Sequence, residues 1–378
     1  MYITHGASCN TRRAVDIKCY ENLSRRTILA TYYIGANDEH GQNPFTQGKR
    51  TPIMPYLNVP FYENQFNRPA KIKFLEACLR NGFAVYDVKP ELTDTAVSTR
   101  VTRINRQNLT LLVTYGYNAF GSGNTFNSAQ GISTFYSTRN VRATQSRALA
   151  EDVYEQLLQG TGQRGRGVLT LTDVGVLQSV NCVSILVEPG FMTNFDEAKL
   201  MRDPDYQTEV AEETCRGVCV YLGQTYLPRG NLANYPTLRN GSQGNFVYLL
   251  QYMLTQNGYN ISIDGAFGQN TVNAVISFQT ANGLTADGIV GANTWRTLLV
   301  LPPQPTIREG SRGTYVRYLQ EKLTSKLYPL GSIDGVFGSA TRGAVFEFQT
   351  ENGLTADGIV GPVTWQAVSQ IGGGRPLP

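Results

Sequence analysis

A histidine and two glutamates in this sequence have the types and positions that hydrolytic chemistry requires. His40 comes after a predicted strand, Glu63 stands near the start of a predicted helix, and Glu188 directly follows the apolar run VSILV. Imidazole and carboxylate groups are good Zn²⁺ ligands, and a carboxylate that does not bind the metal can act as general base on water. If the three side chains converge at one end of a sheet, they suit a hydrolytic zinc site.

Each of these residues also has a purely structural interpretation. His40 lies in a loop rich in glycine and proline, where an ordinary solvated histidine is common. Glu63 can be explained as an acidic residue in the first turn of a helix, stabilised by the helix dipole. Glu188 is harder to explain in this way, because a carboxylate at the edge of a dry core needs a partner.

Residues 26–226 are predicted to form one α/β domain that positions these side chains. Predicted strands alternate with predicted helices along this part of the chain, which indicates a mostly parallel sheet with helices on both faces. In such a domain the functional site lies at the carboxyl ends of the strands. The run GTGQRGRG (160–167) is predicted to be a solvated loop. The predicted strands are 26–38, 83–89, 109–115 and 180–190, and the predicted helices are 68–82, 97–108, 143–160 and 208–222.

The C-terminal part of the chain contains an internal repeat. The decapeptide NGLTADGIVG occurs in both copies, and a proline-rich linker separates them. Each copy is predicted to be a small three-helix unit, with Thr271 and Thr341 as N-caps of its second helix. The predicted boundaries are an N-terminal extension at 1–25, a linker at 227–240, and repeats at 241–300 and 308–371.

The repeats closely resemble the peptidoglycan-binding domain found at the ends of many cell-wall hydrolases. The resemblance is carried by the Asp-Gly-x-Phe-Gly turns (264–268 and 334–338), by a Phe-Gln pair, and by a run that ends in Thr-Trp. It implies that peptidoglycan is a partner of this chain. The alternative is that these aromatic residues and glycines only hold the fold. The residues that the resemblance assigns to peptidoglycan binding are Asp264, Gly265, Phe267, Asp287, Asp334, Gly335, Phe337 and Asp357.

The α/β domain resembles the zinc-dependent N-acetylmuramoyl-L-alanine amidases. HGQNPFTQGKRTP resembles the first metal-ligand loop of that family, YENQFNR the segment with the glutamate ligand, and LVEPGFMTN the segment with the catalytic glutamate. The resemblance implies His40 and Glu63 as Zn²⁺ ligands and Glu188 as the catalytic residue. It also implies cleavage of the amide between the muramoyl lactyl group and L-alanine.

One position departs from the family pattern. In the family, a strand like LTLLVTYGYNA ends in Ser-Ile-His-Ala-Asn-Ala, and the histidine is the third zinc ligand. The same register here gives TYGYNA (114–119), with Gly116 in place of the histidine. Two hypotheses follow: an active amidase with a substitute ligand, or a pseudoenzyme that only binds cell wall. The candidate substitutes are Asp38, Glu39, Tyr115, Tyr117 and His5.

Composition limits the other partners and the location. The formal net charge of +4 is spread evenly, so neither half has the basic surface typical of a nucleic-acid-binding protein. No apolar run approaches about 18 residues, which argues against membrane insertion. The first 20 residues have no apolar core of a signal peptide. We therefore expect synthesis in the cytoplasm and action at the cell wall after lysis, injection or spore assembly, as an endolysin or as a component of a larger particle.

Overall fold

The computed structural model describes residues 32–378. The predicted N-terminal extension (1–25) and the candidate ligand His5 lie outside the described residues, as does the start of the first predicted strand. Within residues 32–378, no helix is long and apolar enough to cross a bilayer.

The α/β domain is built on one six-stranded sheet with the order β2-β1-β3-β6-β4-β5. Neighbouring strands are parallel except for β4 and β6, which pair antiparallel. This confirms the predicted mostly parallel sheet. The strands are β1 (Tyr33–Asp38), β2 (Ala84–Asp87), β3 (Leu111–Tyr115), β4 (Ile132–Tyr136), β5 (Gly165–Thr170) and β6 (Val183–Glu188).

Helices cover both faces of this sheet, as predicted. Along β3, Leu111 and Val113 belong to the core shared with α1, α3 and α6, whereas Leu112 packs on the opposite face with residues of α2 and α4. This alternation is the period of two that a strand buried on both sides must have. The helices of this domain are α1 (Asn64–Arg80), α2 (Val97–Asn105), α3 (Ala143–Thr161), α4 (Gly175–Gln178), α5 (Phe195–Arg202) and α6 (Pro204–Tyr221).

Several elements differ from the sequence-based expectation. The region 160–167 is not wholly a loop, because Gly165 begins β5. This edge strand is largely exposed and lacks the apolar alternation by which strands are recognised. Strand β4 and helix α5 were likewise not predicted.

Helix α1 begins four residues before the predicted start at residue 68, and it contains Pro69. A proline has no N–H for the carbonyl four residues earlier, which here belongs to Gln65. That carbonyl instead accepts a hydrogen bond from Gln207 Nε2 of α6 (3.1 Å). The tertiary contact thus satisfies a group that the proline leaves unpaired inside the helix.

Each repeat contains three helices, in agreement with the prediction. Their N-caps differ from it, because Gly268 and Gly338 cap the second helices. Thr271 and Thr341 instead lie buried inside the first turns of those helices. The helices are α7 (Asn245–Gln256), α8 (Gln269–Ala281) and α9 (Ala292–Leu298) in the first repeat, and α10 (Thr314–Ser325), α11 (Ser339–Glu351) and α12 (Pro362–Val368) in the second.

The first repeat packs directly on the α/β domain. One continuous hydrophobic cluster runs from the sheet through α1 and α6 to α7. At its edge, Arg80 donates to the Glu212 carboxylate (3.1 and 2.5 Å) and to the hydroxyl of Tyr235 (3.5 Å). Tyr235 belongs to the predicted linker, so this hydrogen bond attaches the linker to the α/β domain.

The second repeat has its own core and is docked on the α/β domain by apolar and charged contacts. Leu327 is fully buried among Met54, Phe61 and Phe195 of that domain. Beside it, Lys322 Nζ lies 2.8 Å from Asp203 Oδ1, and both side chains are almost completely buried. Shape and charge therefore fix the second repeat at one position on the domain.

We expect Lys322→Ala to destabilise this docked arrangement by about 3–5 kcal/mol, because it leaves the Asp203 carboxylate buried without its ammonium partner. Thermal unfolding of the full chain measures the effect. Arg342→Ala is the control, since this exposed side chain makes only a long ion pair with Glu309 (3.9 Å). Equal unfolding temperatures for the two variants would contradict the prediction.

Candidate active site

The structure brings the predicted site residues to one open cleft at the carboxyl end of the sheet. His40, Glu63, Gly116 and Glu188 all line this cleft, which has a volume of about 460 Å³. His40 Nε2 lies 3.4 Å from Glu63 Oε2. The convergence that the strand ends suggested is therefore present in the fold.

Gly116 and Glu188 are neighbours because β3 and β6 are neighbours. The pairing places Tyr115 opposite Val187, so the next residues of the two strands, Gly116 and Glu188, stand side by side. A Cβ built on Gly116 would lie 3.3 Å from Glu188 Oε1 and 3.3 Å from Leu186 Cδ1. The glycine thus faces the carboxylate, and a side chain at this position would point into the cleft.

His40 is held by its backbone in an uncommon conformation, with a φ of 65°. Such a positive φ costs free energy in a non-glycine residue and persists only where the surroundings impose it. Here the His40 carbonyl accepts hydrogen bonds from Lys89 Nζ (2.7 Å) and Asn64 Nδ2 (2.8 Å). These two donors fix the peptide and so direct the imidazole toward Glu63.

Both donors are in turn held by Asp38, a fully buried carboxylate at the end of β1. Asp38 Oδ2 accepts from Asn64 Nδ2 (2.9 Å) and from Lys89 Nζ (3.1 Å), and Asp38 Oδ1 lies 2.7 Å from Lys71 Nζ. Burial alone raises the pKa of Asp38, but Lys71 and Lys89 outweigh it and lower the pKa to about 2. Asp38 is therefore committed to this buried network.

Glu63 has one oxygen engaged by the protein and one directed to His40. Its Oε1 accepts from the Tyr117 backbone N–H (3.0 Å) and from Asn67 Nδ2 (3.1 Å). Burial raises the pKa of Glu63, and the nearby His40 and these hydrogen bonds act against that rise. Its position directly before α1 is the one predicted.

Glu188 is a carboxyl group with a strongly perturbed environment in the cleft. Burial raises its pKa to about 8, and the negative charges of Glu63 and Glu39 act in the same direction. The ammonium of Lys49, which also lines the cleft, acts against it. A carboxyl that titrates near neutral pH can either accept or return a proton during a reaction.

The donors in the cleft fit two ligand positions of a zinc site but do not complete it. Two ligands about 2.1 Å from a tetrahedral ion are about 3.4 Å apart, and this is the separation of His40 Nε2 and Glu63 Oε2. Catalytic zinc normally has three protein ligands. Among residues 32–378, no group of three His, Cys, Asp or Glu side chains is arranged to hold a metal ion.

The predicted substitute ligands differ in their placement. Tyr115 is fully buried against Phe74, and the hydroxyl of Tyr117 donates to the Glu197 carbonyl (2.8 Å). Both side chains therefore point into the core. Glu39 lines the cleft, with its Oε2 3.9 Å from His40 Nε2 and its Oε1 3.2 Å from Arg100.

The residues predicted to contact peptidoglycan lie in a hydrogen-bonding motif that occurs twice in each repeat. In the first copy, Gln251 Nε2 donates to Asp264 Oδ1 (2.8 Å) and Thr271 Oγ1 (3.1 Å), and Gln251 Oε1 accepts from the Gly265 N–H (2.8 Å). A buried glutamine thereby closes an Asp-Gly turn against the start of the next helix. The other copies are centred on Gln279, Gln320 and Gln349.

Two of the predicted wall-binding residues lie inside the fold. Phe267 and Phe337 are each only 1% exposed, so their rings support the core of the repeat. Their direct contact with a ligand remains a prediction that this placement does not favour. Gly265 and Gly335 have positive φ angles (72° and 74°), which explains glycine at both turns.

Sequence reasoning missed the residues that support the cleft. Lys71 shares one helical stripe with Phe74 and Cys78, and all three are fully buried. A lysine on an apolar stripe signals a buried acidic partner, because an unpaired charge in a core is costly. Lys49 and Lys89 carry no comparable signal, since each stands in a polar loop or at a strand end.

The raised pKa of Glu188 predicts how stability depends on pH in chelator-treated protein. Between pH 4.5, the ordinary pKa of a glutamate, and about pH 8, Glu188 keeps its proton in the folded state but loses it in the unfolded state. The contribution of neutral Glu188 to the stability of the fold is therefore lost as pH rises through this range. Glu188→Gln should therefore raise the unfolding temperature more at pH 9 than at pH 5. The exposed Glu309→Gln serves as control, and a pH-independent benefit at Glu188 would disprove the assignment.

Comparisons with known proteins identify two families along this chain. The model of the N-acetylmuramoyl-L-alanine amidase family matches residues 54–220, which include Glu63, Gly116 and Glu188. The family described as "Putative peptidoglycan binding domain" matches residues 243–298 and 312–368.

Individual proteins are similar to parts of this chain. A "Probable N-acetylmuramoyl-L-alanine amidase" of Bacillus licheniformis is 34% identical over 151 residues, which is 34% of this chain and 43% of the relative. "N-acetylmuramoyl-L-alanine amidase CwlM" of Mycobacterium tuberculosis is 34% identical over 134 residues, or 32% of each chain. A solved N-acetylmuramoyl-L-alanine amidase from Clostridium difficile 630 covers 51% of this chain and 97% of its own, with 26% identity and a TM-score of 0.44.

The chain thus spans less than half the length of these two curated relatives. The resemblance seen in the sequence is confirmed for both parts of the protein. Residues 54–220 match the N-acetylmuramoyl-L-alanine amidase family, and two regions that match a peptidoglycan-binding domain follow them.

Proposed function

We propose that the protein is a peptidoglycan hydrolase that cleaves the amide bond between the lactyl group of N-acetylmuramic acid and L-alanine. The observation that carries this proposal is Glu188, a partly buried carboxyl with a pKa of about 8 that lines an open cleft beside His40 and Glu63. The family match over residues 54–220 supports the substrate class. The two repeats would hold the protein on the cell wall.

In the proposed reaction, Glu188 moves a proton between water and the leaving group. Its carboxylate accepts a proton from the water molecule whose oxygen attacks the amide carbonyl carbon. The C–N bond breaks as Glu188 passes this proton to the departing nitrogen. The products are a lactyl carboxylic acid and the free amine of L-alanine.

We further propose Zn²⁺ as the cofactor, with His40 and Glu63 as its ligands. Zinc bound there would supply a Lewis acid for the scissile carbonyl. Gly116 has no side-chain donor, so we expect weak binding by the two remaining ligands. Glu39 is the nearest substitute, because its Oε2 lies 3.9 Å from His40 Nε2.

The alternative is a protein of this family that binds cell wall without cleaving it. It is favoured by the incomplete set of donors around His40 and Glu63 among the described residues. In that case Glu63 and Glu188 would be a remnant of the ancestral site. The two following experiments separate the hypotheses.

Glu188→Gln should lower the rate of peptide release from purified sacculi by about two to four orders of magnitude, the usual span for loss of a general base. The assay follows new N-terminal amino groups of L-alanine. Lys49→Ala, at the mouth of the same cleft, should lower the rate far less. If wild-type protein releases no such peptides even with added zinc, the hydrolase proposal is wrong and the wall-binding alternative stands.

The zinc dissociation constant should be lowered at least about tenfold by Gly116→His, because a third donor would complete a catalytic set. Gly116 has no positive φ, so the backbone accepts a side chain there, although Glu188 must shift slightly. Gly116→Ala is the matched control, as it adds the Cβ without a donor. If Glu39 is the substitute ligand, Glu39→Gln should weaken zinc binding when it is introduced into the wild type. The same substitution should have no effect on zinc binding when Gly116→His is also present.

A further inference from the structure

Each repeat has a cleft at the same place, next to its second Asp-Gly turn. The cleft of the first repeat is lined by Gln279, Leu284, Asp287 and Ile289, among others, and has a volume of about 280 Å³. The cleft of the second repeat has a volume of about 230 Å³, and every residue that lines it stands 70 positions after its counterpart in the first. The two repeats, whose hydrophobic cores are separate, therefore have the same cleft at equivalent positions.

Each cleft contains one fixed carboxylate. Asp287 Oδ1 accepts from Gln279 Nε2 (3.0 Å) and from the Ile289 N–H (2.9 Å), and Asp357 Oδ1 accepts equivalent hydrogen bonds in the second repeat. These bonds lower the pKa of both aspartates, the backbone N–H being the larger cause. The charge is thus permanent near neutral pH, and its orientation is set before any ligand arrives.

The rest of each cleft combines aliphatic side chains with small polar ones. In the first repeat Leu284 lines it beside Ile289, whose side chain is 41% exposed. Aromatic rings, on which the flat face of a sugar commonly packs, are not among the residues that line either cleft. A permanent negative charge beside aliphatic side chains matches a peptide that carries a free amino group better than it matches a sugar.

We propose that these two clefts are where the repeats bind peptidoglycan, and that each takes a short peptide whose free amino group pairs with Asp287 or Asp357. This inference rests on the proposed wall-binding function and assigns its site and ligand class. The aliphatic parts of the peptide pack on the leucine and isoleucine of each cleft. The first Asp-Gly turn of each repeat, with Asp264 or Asp334, then serves the fold alone.

The two clefts differ at two exposed positions. Ala292 is replaced by Pro362, and the second difference predicts unequal selectivity. Asn293 in the first repeat is replaced by Val363 in the second, whose side chain is 64% exposed. The first cleft can hydrogen-bond a peptide amide at this point, whereas the second offers only an apolar contact. We therefore expect the two repeats to prefer different peptides of the wall.

Cosedimentation with purified sacculi tests the proposal, using full-length protein that carries Glu188→Gln so that the wall stays intact. Asp287→Asn together with Asp357→Asn removes both charges but keeps an acceptor for each turn, and should weaken binding at least tenfold. Asp264→Asn together with Asp334→Asn is the matched control, because these aspartates make the same bonds in the first turns. The control should change the affinity less than twofold.

A second experiment modifies the sacculi instead of the protein. Acetylation of the free amino groups of the sacculi should weaken binding of the parent protein to the level of the Asp287/Asp357 variant, with no further loss in that variant. If the Asn variants unfold, Asn293→Lys with Val363→Lys replaces them, since a lysine at these exposed positions repels an amine without touching the turns. This pair should lose at least tenfold as well.

The outcomes separate this proposal from the function on which it rests. If the parent protein does not bind native sacculi at all, wall binding by the repeats is wrong, and this inference falls with it. If the parent binds and the cleft variants bind equally well, or acetylation has no effect, only the assignment of the clefts is overturned. Equal losses in the cleft and control variants would show a folding defect of the turns and would also refute it.

Discussion

The arrangement of the cleft depends on one buried carboxylate, Asp38, and the cations around it. A charge in a dry core is tolerated only when it is paired and fully hydrogen-bonded. Lys71 and Lys89 provide that pairing, and together with Asn64 they join the end of β1, the start of α1 and the segment after β2 at a single point. Because Lys89 and Asn64 also bind the carbonyl of His40, the same network that neutralises Asp38 imposes the backbone conformation of the histidine.

A second repeated interaction explains the small domains. Four buried glutamines each close an Asp-Gly turn against the start of the following helix, and they do so with the same hydrogen bonds. A domain of about 60 residues has little core, so polar contacts of this kind contribute a substantial part of its specificity. Every copy of the Asp-Gly motif is therefore explained by the same hydrogen bonds. Among the described residues, the clefts of the two repeats lie beside the second Asp-Gly turn of each repeat.

The sequence predicted the class of the fold and the meeting of His40, Glu63, Gly116 and Glu188, because strands with continuous apolar runs are easy to recognise and their carboxyl ends share one edge. It did not predict β5, whose side chains are mostly exposed and carry no periodic signal. The support of the cleft by Lys71 and Lys89 was also missed. Pairing of a lysine with a distant aspartate depends on the three-dimensional register of β1, β2 and α1, which local patterns do not contain. The placement of Thr271 and Thr341 was wrong for a similar reason, since glutamines on another helix bind both hydroxyls.

The docking of the second repeat through Leu327 and Lys322 has a consequence for how the protein would work on a surface. A catalytic domain on a flexible tether searches a sphere around its anchor, and the tether length sets its effective concentration at each point. A docked domain cannot move in this way. If both repeats are bound to the wall, the cleft can reach only one region of it, and the distance between the bound repeats and the site of cleavage would be constant. Such an enzyme would advance along the wall only by releasing its anchors.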